Sequence, residues 1–98
     1  METMEIRYAA KHLVSLLPHN AACLALIDVY NRIDHTTRER VFVTQTGKEP
    51  TAANIERMEK CFPTSSIRST ICEMIDSLPP SELSAFYLNA SKFVRHGI

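Results

Sequence analysis

A chain of 98 residues, of which 45% are hydrophobic, is long enough for one domain. Eleven Lys and Arg residues balance eleven Asp and Glu residues, so a polybasic tail that binds nucleic acid or membranes is excluded. The N-terminal residues lack a signal-peptide pattern, and the longest apolar run, Ala21 to Ile27, is too short to span a bilayer. The odd number of cysteines, without metal-ligand spacing, predicts reduced and buried thiols in a cytoplasmic protein.

Two amphipathic helices are predicted for the first third of the chain. Apolar residues at helical spacing predict one helix over residues 4–17, which Pro18 ends. Asn20 is the predicted N-cap of a second helix that runs to about Ile33. Its apolar stripe is Ala21, Leu24, Ile27 and Tyr30, widened by Cys23, Leu26 and Val29. So wide a stripe predicts a central position or a contact with a second subunit. The residues expected near that contact are Leu26, Val29 and Tyr30.

The middle of the chain is less regular. Thr36 followed by Glu39 is a capping-box pattern, which predicts a short helix over residues 37–43. A strand is the alternative there, because β-branched and aromatic residues cluster in the same segment. Residues 44–50 contain Gly47 and Pro50, which predicts a loop.

An αα-hairpin is predicted for the last third of the chain. Apolar residues recur at helical spacing over residues 65–78 and again over residues 83–94. Pro79 and Pro80 cannot continue the first helix, and a proline fits well in the first turn of the second. We therefore expect two facing apolar stripes. The predicted fold class is all-α: a single domain over residues 1–98, a compact bundle of five or six short helices, and an oligomer.

Residues 51–78 also resemble a helix-turn-helix, with Thr51 as the N-cap of its first helix and residues 65–77 as the recognition helix. The residues that would face the DNA groove are Ser65, Ser66, Arg68 and Ser69. Arg68 is the only cation among them and is predicted to lie on an exposed face, whereas such a motif normally neutralises several phosphates. Simple N-capping and a solvated helix face explain the same residues.

Catalytic, cofactor-binding and metal-binding residues are not predicted. The four histidines are predicted to be unpaired with any His, Cys, Asp or Glu at a metal-ligand spacing along a helix. Asp34 and His35 stand at a helix start, where they fit capping better than catalysis. Two glycines are too few for a phosphate-binding loop, and no nucleotide motif occurs. We therefore expect no enzyme, no cofactor and no small-molecule substrate.

Four segments of the chain follow one another in a recognisable order. They are an apolar helix over residues 67–78, a proline-bearing junction over residues 77–80, an apolar helix over residues 83–89 and a basic end over residues 93–96. This order resembles that of FlhD, the helical subunit of bacterial flagellar master activators. Residues 23–30 are loosely similar to that family's dimerisation helix. The chain departs from the family in an extra segment over about residues 36–58 and in lacking a cysteine after the second hairpin helix.

The resemblance implies an obligate partner. FlhD-type subunits join a larger, zinc-binding FlhC-type chain in a heteromeric transcription activator, so the resemblance implies a homo-oligomeric transcriptional regulator that contacts DNA through a complex. The alternative is a small phage- or plasmid-encoded protein-interaction module that inhibits or adapts a host macromolecule. A regulator subunit should shift promoter DNA in a salt-sensitive way, whereas an inhibitor should bind a host protein without DNA.

Overall fold

The computed structural model describes residues 3–34, 36–37, 39–41 and 52–95. The elements in chain order are α1 (Thr3–Ser15), α2 (His19–Arg32), a short helical segment α3 (residues 36–37 and 39–41), α4 (Ala52–Cys61), α5 (Thr64–Ile75) and α6 (Pro80–Arg95). No strand occurs in these ranges, which confirms the all-α fold class. The segment predicted as helix or strand is helical at its described residues, 37 and 39–41. The predicted loop at 44–50 and the predicted N-cap Thr51 lie outside the described residues.

The four longest helices pack in two pairs. Helices α1 and α2 each pack against both α5 and α6, and the closest packing is of α1 on α6 and of α2 on α5. Helices α5 and α6 contact each other much less, although only residues 76–79 join them. The expected αα-hairpin is present, but the expectation that its two apolar stripes face each other is wrong. The two stripes pack on α1 and α2, which buries more apolar surface than two helices could bury by themselves.

A single hydrophobic cluster forms the core. Its largest fully buried side chains are Phe86, Leu17, Leu26, Met58, Ile67, Ile71, Met74, Ile75, Leu78, Leu83 and Val14. Helix α2 contributes buried alanines at 21, 22 and 25, small side chains that let neighbouring helices approach closely. Thr70 is the buried polar residue of the described core, and its Oγ1 donates to the Ser66 carbonyl at 3.0 Å. Its hydrogen-bonding group is therefore satisfied within the helix.

Prolines mark the starts of two helices. Pro18 stands at the N-cap of α2 and Pro63 at the N-cap of α5, both in extended backbone with φ of −68°. The Pro18 carbonyl accepts the first helical bond, from the Ala22 amide at 2.8 Å. The prediction of Asn20 as the N-cap of α2 is therefore wrong, because the fixed φ of the proline already starts the helix one residue before Asn20. Pro80 begins α6 as predicted.

Asp34 caps α3. Its Oδ2 accepts the Thr37 amide at 3.0 Å and its Oδ1 accepts the Thr37 hydroxyl at 2.6 Å. The two bonds, the hydroxyl bond first, hold the pKa of Asp34 below its ordinary value, because they favour the charged carboxylate. The predicted capping box of Thr36 and Glu39 is thus corrected, since the cap lies two residues earlier.

Candidate interaction surface

Arg68, the one cation of the predicted recognition helix, is engaged inside the molecule. It is half-buried, and its Nε donates to the Leu17 carbonyl at 3.2 Å, while its Nη2 donates to the same oxygen. Leu17 follows the end of α1, where helices leave carbonyls without an intrahelical donor. Arg68 therefore joins α5 to the α1–α2 turn. The expectation that it lies on an exposed face is wrong.

The three serines predicted to face DNA have no exposed cations beside them on α5. Ser65 and Ser69 are exposed, whereas Ser66 is half-buried and its carbonyl accepts the Thr70 hydroxyl. The other exposed positions further along α5 and just after it are acidic, Glu73 and Asp76. Asp76 is paired with Lys11 of α1, whose Nζ lies 2.6 Å from its Oδ1. This side of α5 therefore offers neutral and acidic groups where a phosphate backbone needs cations.

A second arginine makes the reciprocal contact between the same two helices. Arg7 of α1 donates through Nη1 to the Ile75 carbonyl and through Nη2 to the Leu78 carbonyl at 3.1 Å. Helix α5 ends at Ile75, so a cation lies where the carbonyl end of a helix favours one. Thus Arg68 of α5 lies near the C-terminal end of α1, and Arg7 of α1 lies near the C-terminal end of α5.

The residues expected at an oligomer contact lie mainly inside the chain. Leu26 and Val29 are fully buried in the core, so the described surface does not present them. The expectation that Leu26 and Val29 lie at a subunit contact is therefore corrected. Tyr30 is half-buried and packs against the core. The apolar residues that α2 does expose are Leu24 and Ile27, at 46% and 41%. Self-association itself stays a prediction.

Leu24 and Ile27 line a shallow groove of about 360 Å³ between α2 and the end of α4. The groove, called the α2 groove below, is lined by His19, Asn20, Cys23, Leu24, Ile27 and Lys60. A second groove of about 490 Å³ runs along α6, beside Leu88 and Lys92. The α2 groove combines exposed apolar side chains with titratable and nucleophilic groups. It is the strongest candidate for a functional surface.

Two polar contacts link three side chains at one end of the α2 groove. His19 Nδ1 lies 2.9 Å from Thr64 Oγ1, and His19 Nε2 lies 3.7 Å from Cys23 Sγ. The prediction that no histidine pairs with a cysteine at a metal-ligand spacing along a helix is therefore wrong for His19 and Cys23. The four-residue spacing of His19 and Cys23 was the available signal, because it places both on one helix face.

The opposite end of α2 is held by ion pairs. Arg32 donates from Nε to Asp28 Oδ1 at 3.1 Å and from Nη1 to Glu82 Oε2 at 2.9 Å. The hydrogen bond that Arg32 donates to Asp28 is the main cause that raises the pKa of Arg32. These contacts tie α2 to the first turn of α6, and we assign them a structural role.

Among the described residues, no three His, Cys, Asp or Glu side chains are grouped to hold a metal ion. Nor does any helix of the described ranges have the length and apolar character that crossing a bilayer requires. Comparisons with protein-family models, curated proteins and solved structures find no match to this chain. The resemblance to the FlhD family therefore stays a prediction.

Proposed function

We propose that this chain is a helical protein-interaction subunit that binds another protein through the α2 groove. The observation that carries the proposal is the exposure of Leu24 and Ile27, 46% and 41%, on a helix whose other face is fully buried. Single exposed apolar residues are ordinary, but these two lie one turn apart and line the same groove. An apolar pair in a concave surface with a polar rim is typical of the centre of a protein interface.

Electrostatics favour a protein rather than DNA as the direct partner. The chain has a formal net charge of zero, and the only cation of α5 is bonded to the Leu17 carbonyl. Non-specific DNA affinity comes almost entirely from Lys and Arg contacts to phosphates, which this helix does not offer. We therefore place direct DNA contacts, where a complex makes them, on the partner chain.

A transcriptional role is the more specific form of the proposal. The resemblance to the FlhD family implies a subunit that contributes protein contacts, while a larger FlhC-like chain contributes the DNA contacts and the zinc. The other form is an inhibitor or adaptor of a host macromolecule. Both need the same protein surface, and we place both in the cytoplasm, where the three free thiols would stay reduced.

Comparative affinity purification tests the proposal. The tagged wild-type chain, the double variant Leu24→Glu/Ile27→Glu and the control Leu88→Glu are purified from the same cells. Leu88 is a suitable control because it is an exposed leucine, 64% exposed, on a different helix. We expect a protein that is retained by the wild type and by Leu88→Glu and lost from the double variant. The same set of proteins on all three chains would contradict the proposal.

Fluorescence anisotropy with a labelled DNA duplex separates the two forms. The purified chain alone should show no salt-dependent binding, whereas its complex with the captured protein should bind only in the transcriptional form. Tight, steeply salt-dependent DNA binding by the chain alone would contradict the placement of DNA contacts on a partner.

A further inference from the structure

The contacts of Cys23 set it apart from the other two thiols. Its Sγ lies 3.7 Å from the Nε2 of His19, within hydrogen-bonding range for sulfur, and the residue is half-buried at the lining of the α2 groove. Cys61 is exposed at the end of α4. Cys72 is half-buried, and burial is the main cause that raises the pKa of its thiol. The chain therefore contains a histidine-paired thiol, an exposed thiol and a thiol whose pKa is raised by burial.

Thr64 completes the arrangement around the imidazole. Its Oγ1 lies 2.9 Å from His19 Nδ1, on the ring side away from the cysteine. When Nδ1 carries the proton it donates to the Thr64 hydroxyl, and Nε2 then presents its lone pair to the thiol. The hydroxyl can accept that same bond from a doubly protonated imidazolium. Thr64 thus fixes the ring in an orientation suited to both the neutral and the charged form of His19.

We propose that Cys23 is a nucleophilic thiol, activated by His19, that forms a mixed disulfide with a small disulfide entering the α2 groove. The Cys23 proton passes to His19 Nε2, and the thiolate attacks one sulfur of the incoming disulfide. The sulfur–sulfur bond of that disulfide breaks as the bond to Cys23 Sγ forms. The departing thiolate takes the proton from the His19 imidazolium. No other oxidant is required, because the exchange conserves the number of disulfide bonds: the Cys23 sulfur is oxidised as the departing sulfur is reduced to a thiol.

The groove suits such a ligand. Leu24 and Ile27 provide an apolar wall, and Lys60 of α4 is the charged side chain among the lining residues. Lys60 is weakly paired with Glu56, at 3.7 Å, and both side chains are largely solvated. The ammonium group can therefore interact with a carboxylate of the ligand. A small disulfide that bears carboxylates, such as glutathione disulfide, has both properties. This inference does not depend on the proposed protein-interaction function.

Site-resolved mass spectrometry after exposure to glutathione disulfide tests the proposal. The observable is the rate of mixed-disulfide formation at Cys23 relative to Cys61 within the same molecules, at pH 6.5. We expect Cys23 to react at least about threefold faster, because the imidazole of His19, 3.7 Å from its Sγ, can take up the thiol proton as the sulfur attacks. Access alone predicts the opposite, since Cys61 is the more exposed thiol. Cys72 should react slowest.

Three variants decide the role of the imidazole. His19→Gln should bring the Cys23 rate down to that of Cys61 or below, whereas His12→Gln, at an exposed histidine on α1, should leave the ratio unchanged. Thr64→Val removes the hydroxyl and should lower the ratio by a smaller factor. It provides a second test should His19→Gln lose its helical circular dichroism spectrum. Equal rates at Cys23 and Cys61 in the wild type, or a ratio unaffected by both His19→Gln and Thr64→Val, would overturn the proposal.

Discussion

Arg68 of α5 donates two hydrogen bonds to the carbonyl oxygen of Leu17, just beyond the end of α1. Arg7 of α1 makes the matching contact with the end of α5, at the carbonyls of Ile75 and Leu78. The two arginines satisfy backbone acceptors that the helices leave unpaired. Their charges therefore act within the fold, and the surface of α5 is left without a cation.

This contact predicts the effect of Arg68→Ala. The substitution leaves the Leu17 carbonyl without its donor in a half-buried position, so we expect a loss of about 1–3 kcal/mol in the free energy of unfolding. The control is Arg57→Ala, at an exposed position on α4, which should change stability by no more than about 0.5 kcal/mol. Urea denaturation followed by circular dichroism measures both. An Arg68→Ala variant as stable as Arg57→Ala would contradict the capping role.

The core of the bundle predicts a second pair of outcomes. Phe86 of α6 and Met74 of α5 are both fully buried, so truncation of either to alanine should destabilise the chain by about 2–5 kcal/mol. Leu88→Ala, on the solvent side of α6, should cost no more than about 0.5 kcal/mol. Thermal or urea unfolding of the three variants is the measurement. A near-neutral Phe86→Ala would show that α6 does not pack on α1 and α2 as described.

The hydrogen bonds of Asp34 predict that the stability of the fold decreases at acid pH. Its hydrogen bonds with Thr37 lower the pKa of the folded state below that of the unfolded chain, so its contribution is present above the unfolded value, about 3.9. That contribution is lost as the pH falls through the folded pKa, below about pH 4. Asp34→Ala should therefore be less stable than the wild type at pH 7 and should lose less stability on acidification.

Asp34→Asn is the matched control for this effect, because an asparagine keeps a capping oxygen but does not titrate. We expect it to stay closer to the wild type than Asp34→Ala at pH 7. Urea unfolding at pH 7 and pH 3 gives the comparison. If all three proteins lose the same stability between the two pH values, Asp34 does not contribute to the acid dependence.

Much of the helical organisation could be predicted from the sequence. The prolines at 18, 63, 79 and 80 lie where helices begin or end, because proline blocks helix continuation and favours the first turn of a helix. The buried stripes of α5 and α6 followed from helical periodicity, with Met74 and Phe86 in the core as expected. These features depend on local properties of the chain, which sequence patterns record directly.

The orientation of α2 could not be predicted in the same way. A helix that is apolar around most of its circumference does not show from its sequence which side faces the core. The pattern placed Leu24 in the main stripe and Leu26 beside it, whereas Leu24 is exposed and Leu26 is buried. Arg7 and Arg68 likewise fit a solvated face, because arginine has a long apolar stem and a cationic end that can reach a distant carbonyl. Which helices face each other depends on tertiary packing, which periodicity does not specify.

The candidate site was harder to predict than the fold. Its parts come from α2, the end of α4 and the start of α5, which are far apart in the chain. Only the spacing of His19 and Cys23 could have indicated a pair, and Thr64 enters through the packing of α5 on α2. The expectation that Arg68 lies on an exposed face failed because its bond to Leu17 is a long-range contact.

Photo-cross-linking in cells is the most direct test of the central claim that the α2 groove, and not the outer face of α5, is the functional surface. A photoreactive phenylalanine derivative is introduced at Ile27, at Ser69 or, as a control, at Leu88; all three positions are exposed. We predict a cross-link from position 27 to another protein, and no DNA cross-link from position 69. A DNA adduct at position 69, together with no protein adduct at position 27, would contradict the account.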